Sequence, residues 1–312
     1  MKISIVLPVF NEEENLHDMN TEIAGVVENM DMDYEIIYID DGSTDRSFEI
    51  LNELRQQNAN IKIIQFRRNF GQTAGLAAGF DHATGDVIIT MDSDRQNDPN
   101  DIPMMLDKIN QGYDLVSGWR FDRQDAWLSR KLPSKLANGL ISTITGVKLH
   151  DYGCSLKAFR KEVIENIRLY GEMHRFIPAI ASWMGVRIAE VKVNHRARVA
   201  GTSKYGISRT FRVILDLITV KFLLQYSARP IHLVGGIGMV SGVVGFLIAF
   251  VMAIQKFFFD VPMGDRPLLQ LAVLLMFIGL QFITFGLLGE LMTRTYHEAQ
   301  IKPVYVVRQM IL

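Results

Sequence analysis

Residues 87–94 read Val87-Ile88-Ile89-Thr90-Met91-Asp92-Ser93-Asp94, an apolar run that ends abruptly in acidic residues. A short run of this kind predicts a buried strand. The run from Tyr34 to Ile39 is likewise followed by Asp40-Asp41-Gly42-Ser43. The run from Ile3 to Val9 leads into Phe10-Asn11-Glu12. Three predicted strands therefore end in polar residues.

Two more apolar runs, Ile61 to Phe66 and Leu115 to Gly118, complete a pattern in which predicted strands alternate with charged, helical segments. Such alternation predicts an α/β domain with a mostly parallel sheet wrapped by helices. In these sheets ligands bind beyond the carboxyl ends of the strands. The three polar clusters are therefore expected to meet in one crevice.

Two common phosphate-binding motifs are missing from the sequence. No Gly-x-Gly-x-x-Gly follows the first strand and no Gly-Lys-Ser/Thr loop is present, which counts against a dinucleotide oxidoreductase and a P-loop NTPase. A divalent metal held by carboxylates is the natural substitute, because Mg²⁺ prefers one or two carboxylates together with phosphate oxygens. A lone Asp-x-Asp is more often a turn or a cap, but Asp92-Ser93-Asp94 follows an apolar strand.

The composition excludes several other classes. The 312-residue chain has a formal net charge of −1, which gives no general attraction to nucleic acid. With one cysteine, Cys154, it has no intrachain disulfide, and no histidine pairs with a cysteine or histidine at zinc-ligand spacing. The first residues lack the apolar segment of a signal peptide, so we expect the soluble part to stay in the cytoplasm.

The excess hydrophobic content, 48% of all residues, is concentrated near the end of the chain. No charged residue lies between Arg229 and Lys256 or between Arg266 and Glu290, and a bilayer crossing needs about 20 residues. We expect membrane spans at about 231–255 and 267–289; buried core helices of a soluble protein are the alternative. Basic residues flank the pair, which predicts both termini in the cytoplasm.

These features predict two domains. Residues 1–228 would form a cytoplasmic head, with amphipathic helices at about 128–146 and 207–228 on the membrane surface, or as ordinary core-facing helices. Residues 229–312 would form the membrane domain with a cytoplasmic C-terminal tail. The glycines at 235–245 suit close helix contact and would also allow a homo-oligomer.

A series of short motifs carries a family resemblance over nearly the whole chain. They are Pro8-Val9-Phe10-Asn11-Glu12, Asp40-Asp41-Gly42-Ser43, Arg68-Asn69-Phe70-Gly71-Gln72, Gly85-Asp86, Asp92-Ser93-Asp94-Arg95-Gln96, Asp151-Tyr152-Gly153-Cys154 and Gly201-Thr202-Ser203-Lys204-Tyr205. In this order they resemble the inverting A-type glycosyltransferases that act on polyprenyl phosphates and are related to dolichyl-phosphate mannose synthase. The resemblance implies the GT-A fold.

The resemblance also implies residue roles. The residues implied to bind the donor are Pro8, Phe10, Glu12, Asp41 and Asp92. Asp94 and Gln96 would ligate Mg²⁺ or Mn²⁺, and Asp92, Asp94 and Asp151 would form the catalytic set. Two residues depart from the family pattern: Phe10 stands where Tyr is common, and Arg95 where Leu is usual. Arg95 could alter donor preference or point to solvent.

The acceptor phosphate needs basic or polar groups near the membrane. By resemblance these are Arg120, Arg130, Ser134, Arg198 and Lys204. Arg130 and Ser134 lie four residues apart and would share a helix face. The alternative for any single arginine is a solvated surface charge.

The resemblance implies transfer of a hexose from a nucleoside-diphosphate sugar, UDP-glucose as first expectation, to polyprenyl phosphate with inversion, at the plasma (inner) membrane. The stretch around His174 resembles bacterial members, which favours undecaprenyl phosphate. A phosphate acceptor is already anionic, so Asp151 is expected to orient a substrate or to act as a cap.

Three alternatives are weighed against this function. A processive polysaccharide synthase would need a Gln-x-x-Arg-Trp motif, which the sequence lacks. A non-catalytic membrane scaffold would have lost a metal-site aspartate, and both are present. A flippase would need more than two spans for a polar path.

Overall fold

The computed structural model describes residues 1–121, 138–139, 141–143, 145–167, 169, 173–196, 231–259, 262, 266–299 and 304–312. These residues belong to two compact units. The first contains the described residues up to 196 together with 304–312, and the second contains two long apolar helices. Each unit is described by itself below.

The first unit is built on an eight-stranded sheet. Its strands are β1 (Lys2–Val9), β2 (Asp33–Asp40), β3 (Ile61–Phe66), β4 (Val87–Thr90), β5 (Leu115–Arg120), β6 (Lys157–Arg160), β7 (Ile188–Val193) and β8 (Val307–Ile311). The spatial order is β7-β5-β6-β4-β1-β2-β3-β8. Only β6 and β8 run antiparallel to their neighbours, so the mostly parallel sheet expected from the sequence is confirmed.

Helices accompany the strands along the chain. They are α1 (Leu16–Val27), α2 (Ser47–Gln57), α3 (Gln72–His82), α4 (Ile102–Asn110), α5 (Lys161–Glu165) and α6 (Ile177–Ser182). Strand β1 at the centre of the sheet is almost wholly buried. Helix α1 buries Leu16, Met19, Ile23 and Val27, which recur every three or four residues and so share one face. This spacing explains why the segment forms a helix that packs on the sheet.

Helix α3 approaches β1 more closely than a side chain would allow. A Cβ atom at Gly79 would lie 2.2 Å from Val6 Cγ1, and one at Gly75 would lie 3.1 Å from Pro8 Cβ. Glycine is therefore required at position 79 for this contact. The close packing brings the start of α3 to the carboxyl end of β1, where the first polar cluster lies.

Strand β8 corrects the expectation that the residues after the second apolar helix form a tail of the membrane domain. Val307–Ile311 pairs antiparallel with β3, with Ile63 opposite Ile311. Backbone pairing with the open edge of β3 satisfies hydrogen bonds that the edge would otherwise leave to water. These residues therefore belong to the first unit, although they follow both apolar helices in the sequence.

The second unit contains α7 (Ile231–Phe259) and α8 (Pro267–Ala299). Val234–Phe259 and Pro267–Gly289 have mean hydropathies of 2.5 and 2.4 and are long and apolar enough to cross a membrane. The two helices touch through glycines: a Cβ at Gly279 would lie 2.6 Å from the Gly238 carbonyl oxygen and 2.8 Å from the Gly242 nitrogen. Small residues thus allow the two backbones to meet.

Candidate active site

The carboxyl ends of β1, β2 and β4 lie side by side, as the sequence predicted. Val9 pairs with Asp40 in the register of β1 and β2, and the Asp41 amide donates to the Val9 carbonyl at 2.8 Å. On the other side the Ser93 hydroxyl donates to the Pro8 carbonyl at 3.0 Å. The three polar clusters therefore meet at one edge of the sheet.

Asp41 is buried and binds the loop after β3. Its two carboxylate oxygens accept the amides of Phe70 at 2.6 Å and Gly71 at 2.8 Å. Burial raises the pKa of Asp41, and these two hydrogen bonds oppose the rise. A Cβ at Gly42 would lie 2.5 Å from the Arg68 carbonyl carbon, so the same loop also packs tightly on the next residue.

The segment after β1 is fixed by the start of α2. Asn11 has a φ of 56°, a left-handed conformation that Asn tolerates, and its side chain accepts the Thr44 amide at 2.8 Å. The Glu12 amide donates to the Ser47 hydroxyl at 2.9 Å, and the Glu12 carboxylate accepts from the Asn15 side chain at 2.7 Å. Pro8, Phe10 and Glu12 therefore lie on a constrained backbone beside Asp41.

The loop at 92–96 carries the predicted metal ligands. The Gln72 side chain donates to Asp92 Oδ1 at 2.7 Å, which ties this loop to the start of α3. Asp94 Oδ1 accepts the Gln96 amide at 3.1 Å. Burial, reinforced by the negative charge of Asp94, raises the pKa of Asp92. Asp92, Asp94 and Gln96 are thus close in space.

A bound cation would suit this loop, because it would relieve the repulsion between Asp92 and Asp94. Across the described residues no group of three or more His, Cys, Asp or Glu is placed to hold a metal ion. Two carboxylates with an amide oxygen fit Mg²⁺ or Mn²⁺, which take further oxygens from phosphate and water. The residues present therefore fit a metal that binds together with a diphosphate.

Arg95, which from the sequence could alter donor preference or point to solvent, contacts α1 in the structure. The residue has a φ of 61°, and its guanidinium forms ion pairs with Asp18 and Glu22 of α1. Glu22 also pairs with Arg196, whose guanidinium reaches Asp98 at 2.8 Å. Arg95 therefore joins the loop 92–96 to α1, a contact that neither of the two sequence alternatives included.

Asp151 and Arg120 form one ion pair. Arg120 Nε donates to Asp151 Oδ2 at 2.7 Å and Nη2 donates to Oδ1 at 3.0 Å. Asp151 also accepts the Gly153 amide at 3.1 Å and is buried. Burial opposes the charge on Arg120, but the pair with Asp151 outweighs it and raises the Arg120 pKa. The two residues were predicted in separate roles, Arg120 for the acceptor phosphate and Asp151 in the catalytic set, and they contact each other directly in the structure.

Two further titratable residues beside the site, Lys157 and His174, were not among the site residues predicted from the sequence. Lys157, in β6 opposite Thr90, is buried, and its ammonium donates to the Cys154 carbonyl. Burial lowers the Lys157 pKa. A lysine inside the apolar stretch Leu156 to Phe159 is the sequence signal that could have identified it. The negative charges of Asp151 and Asp92 lie close enough to oppose this lowering of the Lys157 pKa.

His174 is the second group. Its Nδ1 lies 2.8 Å from the Thr73 hydroxyl, and its Nε2 accepts from Arg175 Nε at 3.2 Å. Burial, with the nearby charges of Arg175 and Lys157, lowers the His174 pKa to about 3. The imidazole is therefore neutral at physiological pH, and accepting from Arg175 leaves its proton on Nδ1, facing Thr73.

Four predicted acceptor residues, Arg130, Ser134, Arg198 and Lys204, lie outside the described residues. The proposed surface helix at 207–228 and most of the one at 128–146 do so too. The last described residues before position 197 lie beside the loop 92–96: the Arg196 amide donates to the Gln96 carbonyl at 3.0 Å, and His195 pairs with Asn97.

Comparison with known proteins gives a family match and a relative. Residues 4–168 match the model of glycosyl transferase family 2. Dodecaprenyl-phosphate galacturonate synthase from Rhizobium johnstonii is 45% identical over 313 aligned positions, covering 99% of this chain and 93% of that protein. These matches confirm the resemblance that the motifs indicated.

Solved structures agree on the fold. Glucosyl-3-phosphoglycerate synthase from Mycobacterium tuberculosis, in complex with Mn²⁺, UDP and glucosyl-3-phosphoglycerate, gives a TM-score of 0.55 at 19% identity, covering 72% of this chain and 79% of that one. Its complex with Mn²⁺ and UDP-glucose gives 0.55 at 18%, covering 72% and 78%. At this identity the likeness shows the GT-A fold and nothing finer.

Proposed function

Because the chain belongs to glycosyl transferase family 2, we propose that it transfers a sugar from a nucleoside-diphosphate donor to a polyprenyl phosphate. The observation that carries this proposal is the 45% identity, over 99% of the chain, to a dodecaprenyl-phosphate galacturonate synthase. Identity of this extent includes both the head and the apolar helices. The convergence of three polar clusters at one sheet edge supports the proposal of a donor site there.

The donor nucleoside would lie against Pro8, Phe10, Glu12 and Asp41. Phe10 offers a ring face, and Glu12 and Asp41 offer carboxylates to base or ribose donors. The Asn11 and Glu12 amides donate to the Ser43 and Ser47 hydroxyls, and the Asp41 carboxylate accepts the Phe70 amide. These hydrogen bonds reduce the conformational entropy that donor binding would cost. UDP is the nucleotide we propose, in line with the UDP complexes of the solved fold relative.

Asp94 and Gln96, with Asp92 beside them, would hold Mg²⁺ or Mn²⁺ next to the diphosphate. When bound, the metal supplies positive charge that stabilises the leaving nucleoside diphosphate. Gln72 and Asn97 orient Asp92 through hydrogen bonds to its side chain and amide. These contacts hold the carboxylate in place before the donor arrives.

The proposed reaction is a single displacement at the anomeric carbon. An oxygen of the lipid phosphate forms a bond to that carbon while the bond to the diphosphate oxygen breaks, and the diphosphate leaves with the electron pair. The lipid phosphate is already largely anionic at neutral pH, because the second pKa of a phosphate monoester is about 6. No strong base is needed, and inversion follows from attack opposite the leaving group.

Asp151 therefore acts as an orienting residue in this proposal. Its carboxylate is engaged by the Arg120 guanidinium at 2.7 and 3.0 Å, which makes it a poor proton acceptor. Arg120 stays a predicted acceptor ligand, and its guanidinium is oriented by the pair with Asp151. Arg130, Ser134, Arg198 and Lys204 stay predicted acceptor ligands, and lipid-phosphate recognition by several basic groups fits their chemistry.

The sugar of the donor is proposed from two observations. The sequence resemblance favoured glucose, whereas the relative is named for galacturonate. We propose a hexose or a hexuronic acid, with glucose and galacturonate as the first two to compare. Both are six-membered sugar rings with hydroxyl groups, and they differ in the configuration at C4 and in the carboxylate that galacturonate carries at C6.

The membrane arrangement is part of the proposal. The helices α7 and α8 would cross the bilayer as a hairpin, with the head in the cytoplasm, where nucleotide sugars and Mg²⁺ are present. The pairing of β8 with β3 supports this arrangement, because it requires the chain before α7 and the chain after α8 to lie on the same side. An even number of crossings satisfies that requirement.

The test is transfer of radiolabel to lipid. Purified protein in detergent is incubated with undecaprenyl phosphate, Mg²⁺ or Mn²⁺, and a panel of labelled nucleotide sugars that includes UDP-glucose and UDP-galacturonate. We expect label from one donor in the organic phase and loss of that label with EDTA. Folded protein that transfers no label from any donor would contradict the proposal and favour the non-catalytic scaffold.

A further inference from the structure

Tyr305 lies beside the loop 67–71, although more than 200 residues separate the two in the sequence. The residue is buried, its ring stacks on Phe66 with centroids 5.0 Å apart and planes 17° apart, and its hydroxyl donates to Asp81 Oδ2 at 2.9 Å. Burial and the negative charge of Asp81 raise the Tyr305 pKa, so the hydroxyl stays protonated. It belongs to the segment 304–311 that ends in β8.

The two contacts of Tyr305 are to the two elements that flank one loop. Phe66 is the last residue of β3 and Asp81 lies near the end of α3. The loop 67–71 connects these elements. A third contact reaches the loop itself, because the Arg67 amide donates to the Val306 carbonyl at 3.0 Å. Segment 304–306 therefore contacts the end of β3, the end of α3 and Arg67, the first residue of the loop.

The same loop forms part of the proposed donor site. Phe70 packs edge-to-face on Phe66 with centroids 5.7 Å apart, and its amide donates to Asp41 at 2.6 Å. Gly71 donates to the other oxygen of Asp41, and the next residue, Gln72, donates to Asp92. The loop 67–71 thus contacts Asp41, the carboxylate proposed for the nucleoside, and the first residue of α3 contacts Asp92, the carboxylate beside the proposed metal ligands.

A continuous series of contacts therefore runs from Tyr305 through Phe66 and Phe70 to Asp41. Packed aromatic rings transmit a displacement because neighbouring side chains in a dense interior have little free volume. Removing the Tyr305 ring would leave Phe66 unsupported on one face and would free the loop that orients Asp41.

We propose that Tyr305 is a positioning residue for donor binding, acting through Phe66 and the loop 67–71. This inference rests on the proposed function. The segment 304–311, which follows the apolar helices, would then hold the loop 67–71 in the position that donor binding requires. It does not touch the donor, so its loss would weaken nucleotide binding without changing the reacting groups.

Three variants of the full-length protein in detergent test the inference. Tyr305→Leu removes the ring but keeps an apolar side chain, Tyr305→Phe keeps the ring and removes only the bond to Asp81, and Met310→Ala alters an exposed side chain of β8 as a control. The measurements are the Kd for UDP with Mg²⁺ by calorimetry, the donor and acceptor KM, kcat and the melting temperature.

Tyr305→Leu is expected to raise the UDP Kd and the donor KM about tenfold, with acceptor KM unchanged. Tyr305→Phe should restore both values to within about twofold of the wild type, because the stacked ring carries the effect. Met310→Ala should match the wild type. A lower melting temperature of Tyr305→Leu with an unchanged UDP Kd would overturn the inference, because it would indicate a purely structural role.

Hydrogen exchange on the wild-type protein gives a second test that needs no variant. UDP binding is expected to slow amide exchange in β8 as well as in residues 67–71, because the two segments would be ordered together. Protection of 67–71 with no change in β8 would overturn the inference. A wild-type protein that neither binds UDP nor transfers sugar would overturn the proposed function, and the inference with it.

Discussion

The Arg120 guanidinium donates to both carboxylate oxygens of Asp151, at 2.7 and 3.0 Å, although the two residues are 31 positions apart in the sequence. The geometry is that of a bidentate pair, which is strong and directional. Asp151 is almost completely buried, so its charge depends on this partner. This relationship decides what Asp151 can do chemically.

Replacement of Asp151 by Asn should slow transfer through misplacement of Arg120. We expect kcat to fall about 100-fold, because small errors in the position of a reacting group are costly. The shape of the rate profile between pH 6 and 9 should stay that of the wild type, since no proton transfer to Asp151 is involved. An acidic limb that is present in the wild type and absent from Asp151→Asn would instead identify Asp151 as a base.

The Asp94→Asn variant should lose transfer while remaining folded. Removal of a carboxylate that would ligate the metal is expected to weaken Mn²⁺ binding in the presence of UDP by at least about 100-fold. Electron paramagnetic resonance of free Mn²⁺ measures this directly. Asp107→Asn, the same substitution on the exposed face of α4, is the matched control and should behave as the wild type. Unchanged Mn²⁺ affinity in Asp94→Asn would remove Asp94 from the metal site.

Arg95→Leu, which introduces the residue usual in the resembled family, should leave donor preference unchanged. The Arg95 guanidinium pairs with Asp18 and Glu22, so its loss affects the packing of the loop on α1. We expect a loss of about 1 kcal/mol in stability, as for partly exposed pairs. The ratio of kcat/KM for two donor sugars is the measurement. A ratio that changes more than about fivefold, or roughly 1 kcal/mol of discrimination, would contradict this reading.

Glu35 makes the stability of the head depend on pH. Burial by itself would raise the pKa of Glu35, but hydrogen bonds from Lys62, Ser4 and Thr84 outweigh it and lower the pKa to about 2 from 4.5. A lowered folded-state pKa contributes stability above pH 4.5 that is lost as the pH falls toward 2. The shift corresponds to about 3 kcal/mol at neutral pH.

Urea unfolding of the wild type and Glu35→Gln at several pH values tests this effect. We expect Glu35→Gln to be less stable than the wild type by about 3 kcal/mol at pH 7, and the difference to shrink steadily below pH 4.5. A difference that is independent of pH would show that the charge of Glu35 contributes nothing.

The contact between α7 and α8 predicts opposite outcomes for two glycines. Gly279→Leu should separate the helices, because even a Cβ there would lie 2.6 Å from the Gly238 carbonyl oxygen. Overpacking of this kind costs about 1–3 kcal/mol and should lower the melting temperature in detergent. Gly236→Leu is the matched control, since a Cβ at position 236 meets nothing within 4 Å. Equal melting temperatures for the two variants would contradict the close contact.

The predicted strands β1 to β5 were recognisable because each is an apolar run that ends in a turn or a polar cluster. The parallel order then places the ends of β1, β2 and β4 together, which is why Asp41, Asp92 and Asp94 could be grouped without a structure. Local pattern and global topology agree at these positions.

Strands β6, β7 and β8 could not be identified in the same way. They carry charged residues such as Lys157, Glu190 and Arg308, and their pairing joins distant parts of the chain. The pairs Arg120–Asp151 and Arg95–Glu22 likewise join residues that are far apart in the sequence. The local sequence does not indicate these pairs, because side-chain partners across a sheet or between a loop and a helix are set by tertiary packing.

Strand β8 also imposes an order on biosynthesis. Because it follows α7 and α8 along the chain, a ribosome must synthesise both helices before the edge of β3 can close. Until then the nascent head displays an unpaired strand edge, which is a site of aggregation. A chain that is truncated within α7 or α8 would therefore lack β8 and expose the edge of β3, and chaperones and proteases could recognise its incomplete sheet.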